Sequence, residues 1–286
     1  MTDVLSALRH VLGDDKVRSG DAVNPDDLHD ESLHPEPRVP CAVVRPRTTA
    51  DVVAVTKIAT EFGVPLTPRG SGTGLSGGAK PVTDGIVLCF DAMKAVKSID
   101  VNDHVAVVEP GLTLRELDDV LSATGLHYPV YPGEMSGSLG GNINTNAGGM
   151  RAVRHGVTRQ HVLGLEAVLI DGTVLRTGAP VVKSSSGYDL TQLLVGSEGT
   201  LALVTEITLR LSPRFTNGAT VLVPFATLDH VTEVVPSIVA SGLQPSILEY
   251  LDVLTMGSVT SRAGLELGVD SAIVEQTLAR SEEHTS

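Results

Sequence analysis

The stretch that decides the fold is a glycine-rich run, Pro68-Arg69-Gly70-Ser71-Gly72-Thr73-Gly74-Leu75-Ser76-Gly77-Gly78. Glycine has no Cβ and tolerates positive φ, so such a loop can direct several consecutive N–H groups towards one anion. Hydroxyl side chains and an arginine within the run add further donors. The pattern therefore predicts an anion-binding loop, and the anion that we expect is a pyrophosphate.

The same run contains a competing pattern, Gly72-x-Gly74-x-x-Gly77, which matches the dinucleotide fingerprint of nicotinamide-dependent enzymes. That fingerprint requires a helix directly after its last glycine, because the helix N-terminus meets the pyrophosphate. Here Gly78 and Pro81 follow, and both residue types oppose a helix. The sequence therefore disfavours a nicotinamide site. It also disfavours a plain surface loop, because ordering so many glycines costs much chain entropy.

Two more glycine-rich segments follow along the chain. The second runs from Pro132 to Gly149 and offers backbone donors, hydroxyls and amides with almost no charge, and the third runs from Gly196 to Leu201. This chemistry suits a neutral heterocycle and phosphate oxygens in one groove. Three such loops predict one long ligand with several parts.

Composition excludes several classes of protein. The chain has 286 residues and a formal net charge of −13, which argues against nucleic acid as a partner. Its two cysteines, Cys41 and Cys89, lie in apolar, strand-like runs and are expected to be buried thiols in a reducing compartment. No signal peptide and no membrane-spanning run is visible, so we expect a cytoplasmic protein, with peripheral membrane attachment through a partner left open.

Local patterns before and after the first loop predict a small β-α-β unit. Cys41–Pro46 is strand-like, and Thr49 is expected to cap a helix that stops at Gly63. Val64–Thr67 is a second short strand that leads into the loop. Residues 14–40 before this unit are polar and are expected to be an extended lead-in.

Clear signals also occur further along. The capping box Thr113-x-x-Glu116 opens a predicted helix that ends at Gly125. Asp171-Gly172 predicts a hairpin turn, and Leu201–Leu211 reads as a long strand. From Phe215 the composition changes, with an expected strand at 219–224 and a helix at 228–240.

Together the three loops resemble the FAD-binding domain of the vanillyl-alcohol oxidase / p-cresol methylhydroxylase superfamily. The branch most similar is that of the glycolate oxidase FAD-linked subunit and the D-lactate and D-2-hydroxyglutarate dehydrogenases. The resemblance covers about residues 40–213, and four motifs match in order, which is far more specific than one glycine fingerprint. These motifs are Pro68–Gly78, Ser138–Gly149, Arg154–Arg159 with Val162–Glu166, and Gly187–Leu190 with Gly196–Thr205.

The resemblance implies a set of residues that bind FAD. Those expected at the pyrophosphate are Pro68, Arg69, Gly70, Ser71, Gly72, Thr73, Gly74, Leu75, Ser76 and Gly77. Those expected along the flavin and ribityl chain are Pro132, Gly133, Gly137, Ser138, Gly140, Gly141, Asn142, Thr145, Asn146, Gly148 and Gly156. Those expected on the adenosine–ribityl side are Glu198, Gly199 and Val204.

Three single residues qualify this picture. Some relatives attach the flavin covalently through a histidine in the first loop, where this chain has Thr73, so non-covalent FAD is expected. His155 stands where tyrosine is common, and a packing or hydrogen-bonding role is favoured over one at the flavin ring. Lys183 matches a family lysine, and a solvated loop position is favoured over cofactor contact.

The implied reaction is oxidation of a 2-hydroxy acid of the glycolate or D-lactate type, by hydride transfer to the flavin. Electrons would pass to a partner such as an iron–sulfur subunit, a quinone or a cytochrome. The catalytic residues are expected in a cap domain whose later motifs this sequence lacks. The histidines of the chain form no convincing set of metal ligands, so no metal site is expected. Two alternatives stay open: an FAD enzyme acting on a sugar, an aromatic alcohol or an ether-lipid precursor, and a non-catalytic flavin-binding module.

The expected fold is therefore α+β. A flavin-binding domain of two subdomains, one a small β-α-β unit and one a larger mixed or antiparallel sheet with helices, would precede the start of a ferredoxin-like α+β cap. The expected divisions are a lead-in at 1–39, the FAD-binding domain at 40–214, an incomplete cap at 215–279 and a tail at 280–286. That tail resembles translated sequencing adapter, so we expect an artefact at the end of a truncated coding sequence.

Overall fold

A computed structural model of the protein describes residues 2–33, 38–215 and 217–263. The chain divides into two compact units between Thr216 and Asn217. The helices are α1 Thr2–Leu12, α2 Thr49–Phe62, α3 Leu114–Leu121, α4 Leu139–Thr145, α5 Ala152–His155, α6 Leu190–Leu194, α7 Leu228–Ala240 and α8 Val253–Ala263. The strands are β1 Val17–Arg18, β2 Ala42–Val44, β3 Leu66–Arg69, β4 Ile86–Cys89, β5 Val96–Asp100, β6 Val105–Val108, β7 Leu126–His127, β8 Val162–Val168, β9 Val174–Gly178, β10 Leu203–Arg210 and β11 Ser212–Pro213.

The predicted β-α-β unit is confirmed. β2 and β3 both pair parallel with β4, in the sheet order β1-β2-β4-β3, and α2 connects β2 to β3. Gly63 ends α2 in the left-handed conformation, as predicted. The predicted cap at Thr49 is wrong by one residue. The hydroxyl of Thr48 accepts the N–H of Asp51, because Thr48 is the last residue with extended backbone.

The larger sheet is antiparallel, in the order β5-β6-β10-β8-β9. The turn at Asp171-Gly172 joins β8 to β9 as predicted, with Val168 opposite Val174. The capping box of α3 is also confirmed, since Thr113 and Glu116 exchange their side-chain and backbone hydrogen bonds. Helices α3 and α4 cover this sheet and share its hydrophobic core.

Polar contacts fix the two sheets of the first unit to each other. Thr49 Oγ1 donates to Glu166 Oε1 on β8 at 2.7 Å, and Thr60 Oγ1 donates to the carbonyl of Ile170 at 2.7 Å. Burial would raise the pKa of Glu166, but hydrogen bonds from Thr49 and Thr205 and the charge of Arg176 lower it. The carboxylate is therefore a stable buried acceptor that joins α2 to the larger sheet.

The lead-in is more regular than predicted. Val17 and Arg18 pair antiparallel with β2, and short 3₁₀ turns follow at Gly20–Ala22 and Pro25–Leu28. Of the two predicted buried thiols, Cys89 at the end of β4 is fully buried, which raises its pKa to about 12. Cys41 is only half-buried, because it lies one residue before β2.

The described part of the second unit contains α7, as predicted, and α8. The predicted strand at 219–224 is wrong, because no described segment of this unit pairs with it and a lone strand leaves its backbone unsatisfied. The start of a ferredoxin-like cap stays a prediction. The expected artefactual tail at 280–286 lies outside the described residues. Among the described helices, none is long and apolar enough to cross a membrane.

Candidate functional site

The three glycine-rich segments, distant in sequence, meet in the first unit. A Cβ on Gly70 would lie 2.1 Å from Ser138 Oγ, so the first loop touches the second segment. A Cβ on Gly199 would lie 2.5 Å from Pro68 Cγ, so the third loop touches the start of the first. Approaches this short leave no room for a side chain, which explains why glycine occupies both positions.

Hydrogen bonds join the third loop to α4 of the second segment. The N–H of Glu198 donates to the Asn144 carbonyl at 2.8 Å, and the N–H of Gly199 donates to Asn144 Oδ1 at 3.1 Å. The N–H of Gly196 donates to the Ile143 carbonyl at 2.9 Å. The second and third segments therefore form one wall, and the first loop lies against both.

The first loop presents open backbone donors. Within the described residues, no N–H between Ser71 and Gly78 donates to a protein acceptor. Two polar atoms of the wall are also buried without a protein partner: Asn142 Nδ2, in a residue only 7% exposed, and Ser197 Oγ. Native proteins rarely leave such groups unpaired, so the site suits a ligand with phosphate and amide-like groups.

Arg69 has a role that sequence reasoning missed. Its Nη2 donates to the carbonyl of Asp26 at 2.6 Å and also lies 3.4 Å from the carbonyl of His29. Its Nη1 donates to the carbonyl of Gly70 at 3.1 Å. The guanidinium thus holds the lead-in and the loop together, and its expected contact with a pyrophosphate stays a prediction.

The lead-in makes further contacts with the first loop. The N–H of Glu31 donates to the Gly74 carbonyl at 3.0 Å, and Asp30 Oδ2 accepts the N–H of Ala79 at 3.4 Å. The only local signal for this segment is Asn24 before Pro25, which caps a short turn. Nothing in the sequence around this segment indicates that it contacts the first loop, which lies much further along the chain.

Several predicted site residues already have their polar groups occupied by protein. Thr145 Oγ1 donates to the Gly141 carbonyl, and Asn146 Oδ1 accepts the N–H of Arg159. Ser138 caps α4 by accepting the N–H of Gly141. For these side chains a role in shaping the site is observed, and direct contact with a ligand stays a prediction.

Other predicted residues lie in varied surroundings. The Val204 side chain is buried in the core of the larger sheet, and contact of this residue with a ligand stays a prediction. Gly156 ends α5 against the side chain of Gln160, and Gly148 packs closely against Val157. Leu75 is 76% exposed at the tip of the first loop. The first unit therefore does not bring every predicted residue into one contact set.

His155 belongs to a cluster of rings and is half-buried. Its ring centroid lies 6.3 Å from that of His127 and 6.5 Å from that of His161, and its carbonyl accepts from His161 Nε2 at 2.8 Å. Burial, then the positive charge of Arg154, lowers the pKa of His155. These contacts agree with the packing and hydrogen-bonding role favoured from sequence, and whether the ring also lies near the flavin stays untested. Lys183 is exposed in a loop, and its preference for solvent over cofactor contact stays a prediction.

Comparison with known protein families matches residues 40–178 to the family described as "FAD binding domain". Residues 40–178 are an FAD-binding domain. FAD is therefore the cofactor, and the superfamily resemblance read from the glycine-rich motifs is confirmed. The open N–H groups of Ser71–Gly78 and the unpartnered amide of Asn142 fit its pyrophosphate and its polar ring edge.

Curated relatives share this domain. The chain is 50% identical, over 96% of its length, to an uncharacterized FAD-linked oxidoreductase of Mycobacterium tuberculosis, of which it covers 60%. It is 40% identical over 82% of its length to glycolate oxidase subunit GlcD of Bacillus subtilis, covering 50% of that protein. It is 43% identical over 73% of its length to a D-lactate dehydrogenase of Archaeoglobus fulgidus, covering 47% of it. The chain thus spans about half of these relatives' length.

A solved structure shows the same fold. An alkyldihydroxyacetonephosphate synthase superposes on 86% of this chain and 47% of its own, with a TM-score of 0.72. The sequence identity is 19%, so the likeness concerns the fold alone.

Proposed function

We propose that this chain is part of a flavoenzyme that oxidises a 2-hydroxy acid, of the glycolate or D-lactate type, and passes the electrons to a partner acceptor. The observation that carries the proposal is the meeting of three glycine-rich loops around open donors. The names of the glycolate oxidase and D-lactate dehydrogenase relatives support the substrate class.

Each loop has a proposed part in holding FAD non-covalently. The N–H groups of Ser71–Gly78 would bind the pyrophosphate, and the segment Pro132–Gly149, with Asn142, would line the ribityl chain and the ring. Glu198 and Gly199 would flank the adenosine side. Bound FAD supplies the acceptor for the hydride, and the protein supplies position and electrostatics.

None of the residues described above is assigned a catalytic role. A 2-hydroxy acid needs a cation for its carboxylate and a base for its hydroxyl, and we propose that a cap domain provides both. An iron–sulfur subunit, a quinone or a cytochrome is the proposed class of acceptor.

The first test is cofactor binding. We expect the purified chain to be yellow, and its flavin to appear in the supernatant after heat or acid precipitation, since no covalent link is proposed. A colourless protein that cannot be reconstituted with FAD contradicts the assignment of the site. Flavin that stays with the precipitate contradicts only the prediction that FAD is bound non-covalently.

The second test is reduction of the bound flavin. Glycolate, D-lactate and D-2-hydroxyglutarate are added without oxygen to this chain and to the longest form its gene encodes, and loss of flavin absorbance is followed. Reduction of the longer form by one of these acids, and not by L-lactate, supports the proposal. If dithionite reduces the flavin but no acid does, a flavin-binding module becomes the better description.

A further inference from the structure

The lead-in residues Asn24–Ser32, here called the strap, cross the first glycine loop and contact it at its start, its middle and its end. At the start, Arg69 joins the Asp26 carbonyl to the Gly70 carbonyl. In the middle, the N–H of Glu31 donates to the Gly74 carbonyl at 3.0 Å. At the end, Asp30 accepts the N–H of Ala79.

The strap is itself anchored to the smaller sheet. Asp27 is 4% exposed, and Arg45 Nη2 lies 2.8 Å from both of its carboxylate oxygens. Arg45 Nε also donates to Asp91 Oδ2 at 2.9 Å, beside the end of β4. Because the Asp27 carboxylate is buried, loss of Arg45 would leave it without a counter-charge, so this hydrogen-bonded pair gives the strap a fixed base.

The contacts with the strap orient the loop's peptide groups. In a trans peptide, the N–H of a residue points away from the carbonyl that precedes it. Because the Gly74 carbonyl faces the strap, the N–H of Leu75 faces the opposite side. The Gly70 carbonyl, held by Arg69, likewise leaves the N–H of Ser71 directed away from the guanidinium. Glu31 of the strap and Arg69, which is itself bound to the strap, thus occupy carbonyl oxygens that would otherwise repel a phosphate.

Gly72 has a place in the same arrangement. Its φ is +76°, and a Cβ there would lie 2.3 Å from Arg69 Nη2. The missing side chain therefore makes room for the guanidinium that connects loop and strap.

We propose that the strap is a positioning element that holds the first loop in its ligand-binding shape, and that Asp30, Glu31 and Arg69 thereby set the affinity for FAD. The inference rests on the proposed placement of the FAD pyrophosphate against this loop. A glycine-rich loop that is already ordered loses less entropy when its ligand binds.

Removing the Asp30 carboxylate distinguishes two possible roles of this residue, because they predict opposite changes in FAD affinity. Burial would raise its pKa, but hydrogen bonds from Ser32 and Ala79 and the charge of Lys80 lower it, so it is ionised at neutral pH. If it were merely a negative charge near a phosphate site, removing it would tighten FAD binding. If it holds the loop through Ala79, removing it weakens binding.

The experiment measures the FAD dissociation constant and release rate of the full chain by flavin fluorescence. We expect Asp30→Ala to raise the dissociation constant about tenfold, mainly through faster release, because it removes the charged acceptor of the Ser32 and Ala79 N–H groups. Asp30→Asn, which keeps one acceptor oxygen, should give an intermediate value. Asp15→Ala removes an exposed partner of Arg47 in the same lead-in and should leave both quantities unchanged.

Hydrogen exchange of the Glu31 amide provides a readout besides affinity. Its protection should rise when FAD is added to the wild type and should fall in Asp30→Ala. If Asp30→Ala does not fold, Arg69→Lys takes its place, since a lysine keeps the charge but cannot reach several carbonyls at once.

The outcomes distinguish a failure of the proposed FAD placement from a failure of the proposed role of the strap. Wild-type protein that does not bind FAD refutes the placement of the cofactor. Wild-type protein that binds FAD while Asp30→Ala, or Arg69→Lys in its place, binds it equally well or more tightly overturns the role of the strap alone.

Discussion

In the first glycine loop, no N–H between Ser71 and Gly78 donates to a protein acceptor among the described residues, whereas the second segment forms helix α4 and uses its own backbone groups. Both are rich in glycine. In the first loop the close approaches of Gly70 and Gly72 are to side chains and Gly74 has open space around it, whereas in the second segment glycine lets α4 and its flanks pack against neighbouring backbone. The same composition thus accompanies open backbone donors in one place and close backbone packing in the other.

The close contacts of the second segment make this difference measurable. A Cβ on Gly149 would lie 1.9 Å from the Tyr131 carbonyl oxygen, and one on Gly140 would lie 2.7 Å from Pro110 Cβ. At Gly74 in the first loop, nothing lies within 4 Å of a built Cβ. Substitutions should therefore separate effects on stability from effects on FAD affinity.

The largest expected effect is that of Gly149→Ala. The new methyl group would overlap backbone that cannot move aside, so we expect the free energy of unfolding of the apo protein to fall by about 3 kcal/mol. Chemical denaturation followed by circular dichroism measures it. Gly218→Ala, at an open position of the second unit, is the control and should change little. A normal stability for Gly149→Ala would show that this segment does not pack as described.

A smaller effect is expected for Gly72→Ala in the first loop. Positive φ at this residue disfavours alanine, so the apo protein should lose about 1–2 kcal/mol of stability. FAD affinity should fall as well, because the methyl group displaces the Arg69 guanidinium. Gly125→Ala has a similar φ of +73° and open surroundings, so it should cost similar stability and leave FAD affinity unchanged. Equal affinities for the two variants would contradict the link between Gly72 and Arg69.

The two regions should also differ in their response to pH. Burial lowers the pKa values of His127, His155 and His161, whose rings cluster at α5, whereas Asp30 beside the first loop has a pKa below its usual value. For the histidines the unfolded chain binds more protons, so stability should fall as pH drops below about 6.5. The contribution of Asp30 should persist until pH falls below about 4.

Hydrogen exchange at pH 7.5 and 5.5 tests whether the histidine cluster is destabilised at a higher pH than the region around Asp30. Amides around α5 should lose protection at pH 5.5, while the Glu31 amide of the strap should keep it. His161→Gln should reduce the pH dependence of stability, since Nε2 of His161 can be replaced by an amide donor to the His155 carbonyl. If the amides around α5 and the Glu31 amide lose protection equally at pH 5.5, the predicted difference in pH response is wrong.

The smallest effect on stability is expected for Gly74→Ala. With open space around the new methyl group, the free energy of unfolding should stay within about 0.5 kcal/mol of the wild type. FAD should bind less tightly, because in the proposed site the added methyl group takes up space beside the N–H groups that bind the pyrophosphate. A loss of stability above about 1 kcal/mol would mean that this loop packs as the second segment does.

Much of the fold was predictable because its signals are local. The capping box at Thr113, the turn at Asp171-Gly172 and the left-handed Gly63 each act within a few residues. The cap of α2 was placed one residue late because Thr48 and Thr49 are chemically alike, and only Thr49 has a distant partner in Glu166. The strand predicted at 219–224 was wrong for a related reason. A strand forms only against a neighbouring strand, and the local sequence pattern does not specify that neighbour.

By itself, the sequence determined the glycine-rich loops, their order and hence the FAD-binding family, because backbone freedom and motif spacing are properties of the chain. Only the tertiary structure decided which glycines have open space around them and which touch protein. It also decided that Arg69 binds carbonyls of the strap and that Asp30 holds Ala79. Those roles depend on contacts between segments far apart in sequence, which form only when the two sheets and the lead-in pack together.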